Sequence, residues 1–284
     1  MKGKICIVTG ANSGVGKVTA RELLRMGADV TLVCRDAGRG GQALEDVKRA
    51  SGSDRASLML CDFASQRSIR AFAREFRSKH DALHVLVNNA GGVLGERRLT
   101  EDGIEATFAI NHLGYFLLTL ELLDLLKKSA PARIVNVSSE AHRNASIDFG
   151  SLHGEKPYKE FAAYGQSKLA NICFTAELAR RLEGTGVTAN SLHPGVVATN
   201  FGSGGGVLMR VAVTLGKPFL LSADKGAATQ IHLATSAEVE GVSGKYFVRK
   251  RAVRPSIAAQ DEAVQRELWR VSEDLVAASA AAAA

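Results

Sequence analysis

Ile5-Cys6-Ile7-Val8-Thr9-Gly10-Ala11-Asn12-Ser13-Gly14-Val15-Gly16 is the stretch on which the fold turns. A continuous apolar run such as Ile5 to Thr9 predicts a strand buried on both faces of a parallel sheet. Glycines follow at once, and a helical pattern begins at Val15 and runs to Met26. Glycines let a backbone turn tightly and approach a pyrophosphate, which then rests against unpaired N–H groups at the helix N-terminus. The spacing Gly-x3-Gly-x-Gly is looser than the usual Gly-x-Gly-x2-Gly, so an ordinary strand-to-helix turn would look alike. Its place after the first strand is what favours the dinucleotide reading. Gly16-Lys17 is no Walker motif, because Val18 stands where a hydroxyl would hold magnesium.

Outward from that turn, short β-branched runs alternate with longer helical patterns. Strands are predicted at Val30 to Val33, Ala56 to Leu60, Val85 to Val87, Ile134 to Val137 and Val187 to Leu192, with a weaker one at Tyr246 to Val248. Helices are predicted at Ser65 to Lys79, Gly103 to Lys128 and Ala163 to Leu182. Such alternation predicts an α/β, Rossmann-type doubly wound, mainly parallel sheet of about seven strands with helices on both faces. No break in composition divides the chain, so residues 1–276 read as one domain. The Ala-rich residues 277–284 extend the last helix or are an artificial extension. Residues 140–160 and the Gly-rich, then apolar, residues 200–222 both follow strand ends, where open α/β sheets bind ligands. The second is expected to be a substrate lid, with Leu208, Met209, Val211, Val213 and Leu215 facing either core or pocket.

Composition excludes several classes. The formal charge is +7, but no recognition motif accompanies it, so nucleic acid is not the expected partner. Four cysteines without a CxxC pair indicate neither zinc nor disulfides. No secretory signal or 18-residue apolar run appears, so a soluble, cytoplasmic protein without a membrane span is expected.

Tyr164 and Lys168 stand four apart and share a helix face. A tyrosine with pKa near 10 is a poor acid–base group at neutral pH, and a neighbouring ammonium favours its phenolate. Ser138 and Ser139 end the fifth strand, where a hydroxyl can polarise a carbonyl.

Thr9-Gly10-x3-Gly14-x-Gly16, Asn88-Asn89-Ala90-Gly91 and Tyr164-x3-Lys168, in that order, resemble the short-chain dehydrogenase/reductase family over about residues 3 to 250. Val33-Cys34-Arg35-Asp36, Ser167-Lys168-Leu169-Ala170-Asn171 and Leu192-His193-Pro194-Gly195 are most similar to its retinol-dehydrogenase-like group. The resemblance implies catalytic Asn111, Ser139, Tyr164 and Lys168, with Ser138 as support. Tyr164 would carry the hydroxyl proton and Lys168 would bond the nicotinamide ribose. Asn111 would kink its helix and hold a water leading to Lys168, while His112 is packed or exposed rather than catalytic. Cofactor contacts would come from Gly10, Asn12, Ser13, Gly14, Val15, Gly16, Arg35, Asp62, Phe63, Asn89, Ala90, Gly91, Tyr164, Lys168, Pro194, Gly195, Val197 and Thr199. NAD-specific members carry an acid where Cys34 stands, and Arg35 beside it suits a 2′-phosphate. NADP(H) is therefore expected; Asp36, turned inward, would favour NAD(H).

The implied reaction moves a hydride between NADP(H) and a small-molecule substrate, an apolar aldehyde, ketone or alcohol. A catalytically silent NADP(H)-sensing regulator and a sugar-nucleotide epimerase or dehydratase of the same fold are the alternatives. A sensor could discard Tyr164 freely, and the residues after the last strand leave little room for the epimerases' substrate domain. Two departures stand out: 24 residues separate Ser139 from Tyr164, and only Met1-Lys2-Gly3-Lys4 precede the first strand. Relatives acting on membrane retinoids carry a hydrophobic anchor there, so that substrate is not carried over. The family pairs into homodimers or homotetramers through the helices here predicted at Gly103 to Lys128 and Ala163 to Leu182.

Overall fold

The computed structural model describes residues 1–154, 157–197 and 221–282. Chain order gives β1 (Ile5–Thr9), α1 (Gly14–Arg25), β2 (Asp29–Cys34), α2 (Ala37–Ser51), β3 (Ala56–Leu60), α3 (Gln66–Lys79) and β4 (Val85–Asn88). One long helical segment follows as α4 (Ala106–Phe108), a π-turn at Ala109–Leu113, α5 (Gly114–Glu121) and α6 (Leu123–Lys128). Then come β5 (Ala132–Val137), a 3-10 turn (Glu140–Asn144), α7 (Glu160–Arg181) and β6 (Val187–His193). Past the lid residues lie α8 (Ala223–Thr235), β7 (Tyr246–Val248), β8 (Arg251–Val253), α9 (Ile257–Gln260) and α10 (Glu262–Ala282).

The strands form one sheet in the order β3-β2-β1-β4-β5-β6-β7-β8. All neighbours are parallel except β7 and β8. The doubly wound expectation holds, with an eighth strand added as an antiparallel edge. Chain direction across the sheet reverses between β1 and β4, and the crevice beyond their carboxyl ends is where this architecture binds dinucleotides. The apolar β1, β2 and β4 are buried because helices cover both faces. α1 and α2 pack one face around Leu23, Leu24, Leu32 and Val47. On the other, α3, α5, α7 and α10 close over Phe72, Phe116, Phe174 and Trp269.

α10 lies over the α5/α7 pair: the Trp269 ring centroid is 5.0 Å from Phe116 and 5.9 Å from Phe174, and the Arg181 guanidinium sits 4.1 Å above the indole. The resemblance places a partner subunit on these two helices. A second copy approaching this contact would meet α10 first.

The turn joining β7 to β8 has only two residues, since Val248 pairs with Arg251. Both occupy the left-handed region, Arg249 at φ 49° and Lys250 at φ 65°. That is the hairpin turn for which Asn-Gly is preferred, because side chains with a full Cβ crowd the carbonyl there. Arg249→Asn combined with Lys250→Gly is expected to stabilise the protein by about 1 kcal/mol, or roughly 2–4 °C in Tm. Thermal unfolding checks this; an unchanged or lowered Tm would show that the arginine and lysine fit the turn without strain.

Candidate active site

The glycine turn is built for close backbone approach. Gly10 and Gly14 sit at φ 65° and 54°. A Cβ on Gly16 would lie 2.5 Å from Asn89 Nδ2 and 2.6 Å from the Gly10 carbonyl oxygen, so no side chain fits. The turn is braced from behind by Thr9, whose hydroxyl accepts from the backbone N–H of Asn89 (2.8 Å) and of Ala90 (2.9 Å). Asn89 donates its amide to the Thr9 carbonyl (2.8 Å) and accepts from Gln230 on α8 (3.0 Å). Its backbone lines the cleft, while its side chain is spent on the turn.

A cleft of about 570 Å³ runs from this turn across the sheet. Gly10, Asn12 to Gly16, Arg35, Asp62, Phe63, Asn89 to Gly91, Asn111, Ser139, Tyr164, Lys168, Pro194, Gly195 and Val197 all line it. The expected site residues thus converge on one cavity. Thr199 lies outside the described residues, as do Leu208, Met209, Val211, Val213, Leu215 and nearly all of the expected lid. The described chain resumes at Leu221, whose N–H donates to the Val196 carbonyl (2.8 Å).

At the adenosine end, Asp36 lines the cleft beside Arg35 and Arg39. Its carboxylate caps α2 by accepting from the Arg39 N–H at 2.8 Å, with the Arg39 guanidinium at 3.6 Å. The Arg39 N–H and charge hold its pKa below the usual carboxylate range. Arg39 lines the cleft beside Arg35, a second cation that the sequence reading missed. Its signal was there: an Asp before a helix caps it and turns toward the first helical turn. Asp62 accepts from the Ala64 N–H at 3.0 Å, at the rim of the adenine side.

At the other end, α7 brings Tyr164 and Lys168 to the cleft wall. Lys168 Nζ lies 5.6 Å from the ring centroids of both Tyr164 and Tyr115, and donates to the Val137 carbonyl at 3.1 Å. The two serines have different surroundings. Ser138 is buried and donates to the Lys168 carbonyl (2.7 Å), whereas Ser139 lines the cleft and hydrogen-bonds the Tyr164 side chain. Burial pushes the Tyr164 phenol above its ordinary range against the Ser139 hydrogen bond, and pulls Lys168 down to about 7. Burial thus works against the charged form of both groups. The positive ring of an oxidised nicotinamide is a charge that favours the phenolate. His193, the last residue of β6, lines this end as well and is held below the usual imidazole range by burial.

Asn111 sits in the π-turn, so the predicted kink is a whole extra residue in the helix. Its amide pairs with the Gly92 backbone through two bonds of 2.9 Å and donates to Ser167 on α7 (3.0 Å). His112 beside it is packed, not catalytic. Complete burial brings its pKa down to about 3, from 6.5 in the open chain. The unfolded chain then binds a proton that the native protein refuses, so this group lowers stability as pH falls from 6.5 toward 3. His112→Asn is expected to lose less stability than the parent between pH 7 and pH 5, read from urea midpoints. Equal losses would mean that His112 is charged in the native protein.

The chain belongs to the short-chain dehydrogenase family, whose family model, described as short chain dehydrogenase, matches residues 4–204. Within it the chain is retinol-dehydrogenase-like: it is 44% identical over 274 residues to mouse (Mus musculus) retinol dehydrogenase 12, covering 96% of this chain and 86% of that one. It is 46% identical over 292 residues to human (Homo sapiens) retinol dehydrogenase 14, covering 97% and 87%. Among solved structures, an uncharacterized protein from Mycobacterium paratuberculosis is 33% identical with a TM-score of 0.79, over 97% of this chain and 94% of that one. A Pseudomonas aeruginosa RhlG/NADP active-site complex is 26% identical with a TM-score of 0.69, over 87% and 94%. The protein is thus an oxidoreductase of alcohol and carbonyl groups that works with a nicotinamide cofactor. No described helix is long and apolar enough to cross a membrane, and no described group of His, Cys, Asp or Glu could hold a metal ion.

Proposed function

We propose that this chain transfers a hydride between NADP(H) and an apolar aldehyde or ketone, or the matching alcohol. The observation that carries the reading is one cleft with two chemically distinct ends. The adenosine end presents Arg35 and Arg39 with Asp36 already engaged as a helix cap. A 2′-phosphate fits such a pair of guanidinium groups, and one oxygen of the Asp36 carboxylate is already taken by the helix cap. The glycine turn, which a Cβ would fill, accommodates the pyrophosphate.

When bound, the nicotinamide supplies or accepts the hydride. The protein does the rest. Ser139 donates a hydrogen bond to the substrate oxygen and polarises the carbonyl. Tyr164 gives that oxygen its proton in reduction and takes it back in oxidation. Lys168 stabilises the phenolate and holds the ribose. Val93, Leu94, Ile110 and Val196 line the cleft and favour an apolar substrate. Fluorescence titration with NADPH and NADH, followed by NADPH oxidation against a carbonyl panel, tests the reading. Failure to bind NADPH more tightly than NADH sinks the cofactor assignment; binding without turnover on any carbonyl sinks the reaction.

A further inference from the structure

Asn171 lies three residues beyond Lys168 on α7, and no exposed surface remains on it. Its Nδ2 donates to two backbone carbonyls, Asn111 at 2.9 Å and Val137 at 3.0 Å. Two acceptors on one side fix which way the amide points. The Val137 carbonyl also accepts from Lys168 Nζ at 3.1 Å, the single hydrogen bond of that ammonium among the described residues. The Asn111 carbonyl belongs to the π-turn, whose backbone pairing is one residue longer than in an α-helix, so the bond from Asn171 ties α7 to that turn. One amide therefore holds the carbonyl that anchors Lys168 and the kink that aims Asn111.

The chain of contacts continues outward. Asn171 Oδ1 faces His112 Nδ1 at 3.4 Å, and His112 Nε2 meets Ser272 Oγ at 3.0 Å. Ser272 is on α10, the helix that covers α5 and α7. His112 and Ser272 have no exposed surface either. A neutral imidazole can carry a proton on Nδ1 toward Asn171 and accept on Nε2 from the serine, so every link has a donor and an acceptor.

We propose that Asn171 is a positioning residue for the reaction, acting through Lys168 and Asn111, and that Ser272 on the C-terminal helix supports it through His112. The cost of the arrangement argues for it: four polar side chains are buried where apolar ones would pack without partners. This assignment rests on the hydride-transfer reading above, but its test does not need a known substrate.

The probe is ultraviolet difference titration of tyrosinate in the full-length protein saturated with NADP+. The Tyr164 step is the one missing from Tyr164→Phe. From the packed elements, Tyr164 is faced by Lys168 on its own helix, Ser139 after β5, Tyr115 on α5, and Tyr246 on β7 with Glu140 behind it. None of these is altered by the variants used. Asn171→Ala is expected to move the Tyr164 step up by about one pH unit, because a displaced ammonium supports the phenolate less. Ser272→Ala moves it in the same direction by less, and both keep NADP+ affinity within a few-fold. Where turnover is available, kcat for alcohol oxidation below that step falls about tenfold in Asn171→Ala with little change in KM.

Wild-type titration in both variants overturns the proposal, because a residue that merely fills space would leave the phenol alone. A wild type whose Tyr164 shows no step below that of free tyrosine overturns it too. If Asn171→Ala does not fold, Asn171→Ser, which retains a donor, and Ser272→Ala give the same comparison. Turnover that survives Tyr164→Phe would instead sink the hydride-transfer assignment and leave this titration standing.

Discussion

Tyr164→Phe is expected to lower kcat for carbonyl reduction by about a thousandfold while leaving NADPH affinity within a few-fold. The substitution removes one oxygen. The ring that remains still fills a buried position on α7, 5.6 Å from Lys168 Nζ, so packing changes little. What disappears is the proton that must reach the substrate oxygen as the hydride arrives, together with the partner of Ser139. Lys168→Met should cost both kcat and cofactor affinity, since the lysine is expected to touch proton and ribose alike. Single-turnover kinetics with NADPH and an active carbonyl separates the two cases. A Phe variant that reduces substrate at the parent rate would mean that another group of the cleft lining, such as His193, delivers the proton.

The ends of the cleft differ in how far they could be read from sequence, and the reason is physical. The phosphate end is encoded locally. A turn that tolerates no Cβ must be glycine, so Gly10, Gly14 and Gly16 are visible as letters. The Tyr164–Lys168 pair is likewise local, because helical geometry fixes which residues share a face. Asn111 was assigned through family resemblance, but its partners were not legible. They depend on a π-turn that adds one residue to the helix and has no compositional mark, and on Asn171, sixty positions away, turning its amide to meet the carbonyl so displaced. His112 and Ser272 are further apart still, and their contact exists only because α10 folds back over α5 and α7. Gly38, Gly40 and Gly41 weaken the helical signal of α2, which left Arg39 unplaced although Asp36 marks the start of that helix. β8 was missed for a related reason. Arg251 to Val253 is short and exposed at all three positions, so neither alternation nor an apolar run announces it.

Cofactor choice yields the second large effect. Arg35→Glu is expected to weaken NADPH binding by about a hundredfold and to leave NADH within a few-fold. A charge-assisted bond between guanidinium and phosphate contributes roughly 1.5–3 kcal/mol, which is about 10- to 150-fold in Kd, and an opposed carboxylate adds repulsion. Arg35 has no carboxylate partner among the described residues, so its removal strands no buried charge and the fold should hold. Arg39 is different: Arg39→Ala should cost NADPH affinity less, and it leaves the α2 cap in place because the bond to Asp36 comes from the backbone N–H. Because the site is open to solvent, the preference for NADPH should also shrink as salt is raised, whereas NADH binding should be nearly flat. Fluorescence titration of both nucleotides at two ionic strengths reads all of this. Were Arg35→Glu to weaken NADPH and NADH equally, the residue would be supporting the adenosine wall as a whole. The 2′-phosphate would then have to be recognised by something other than the residue that follows β2.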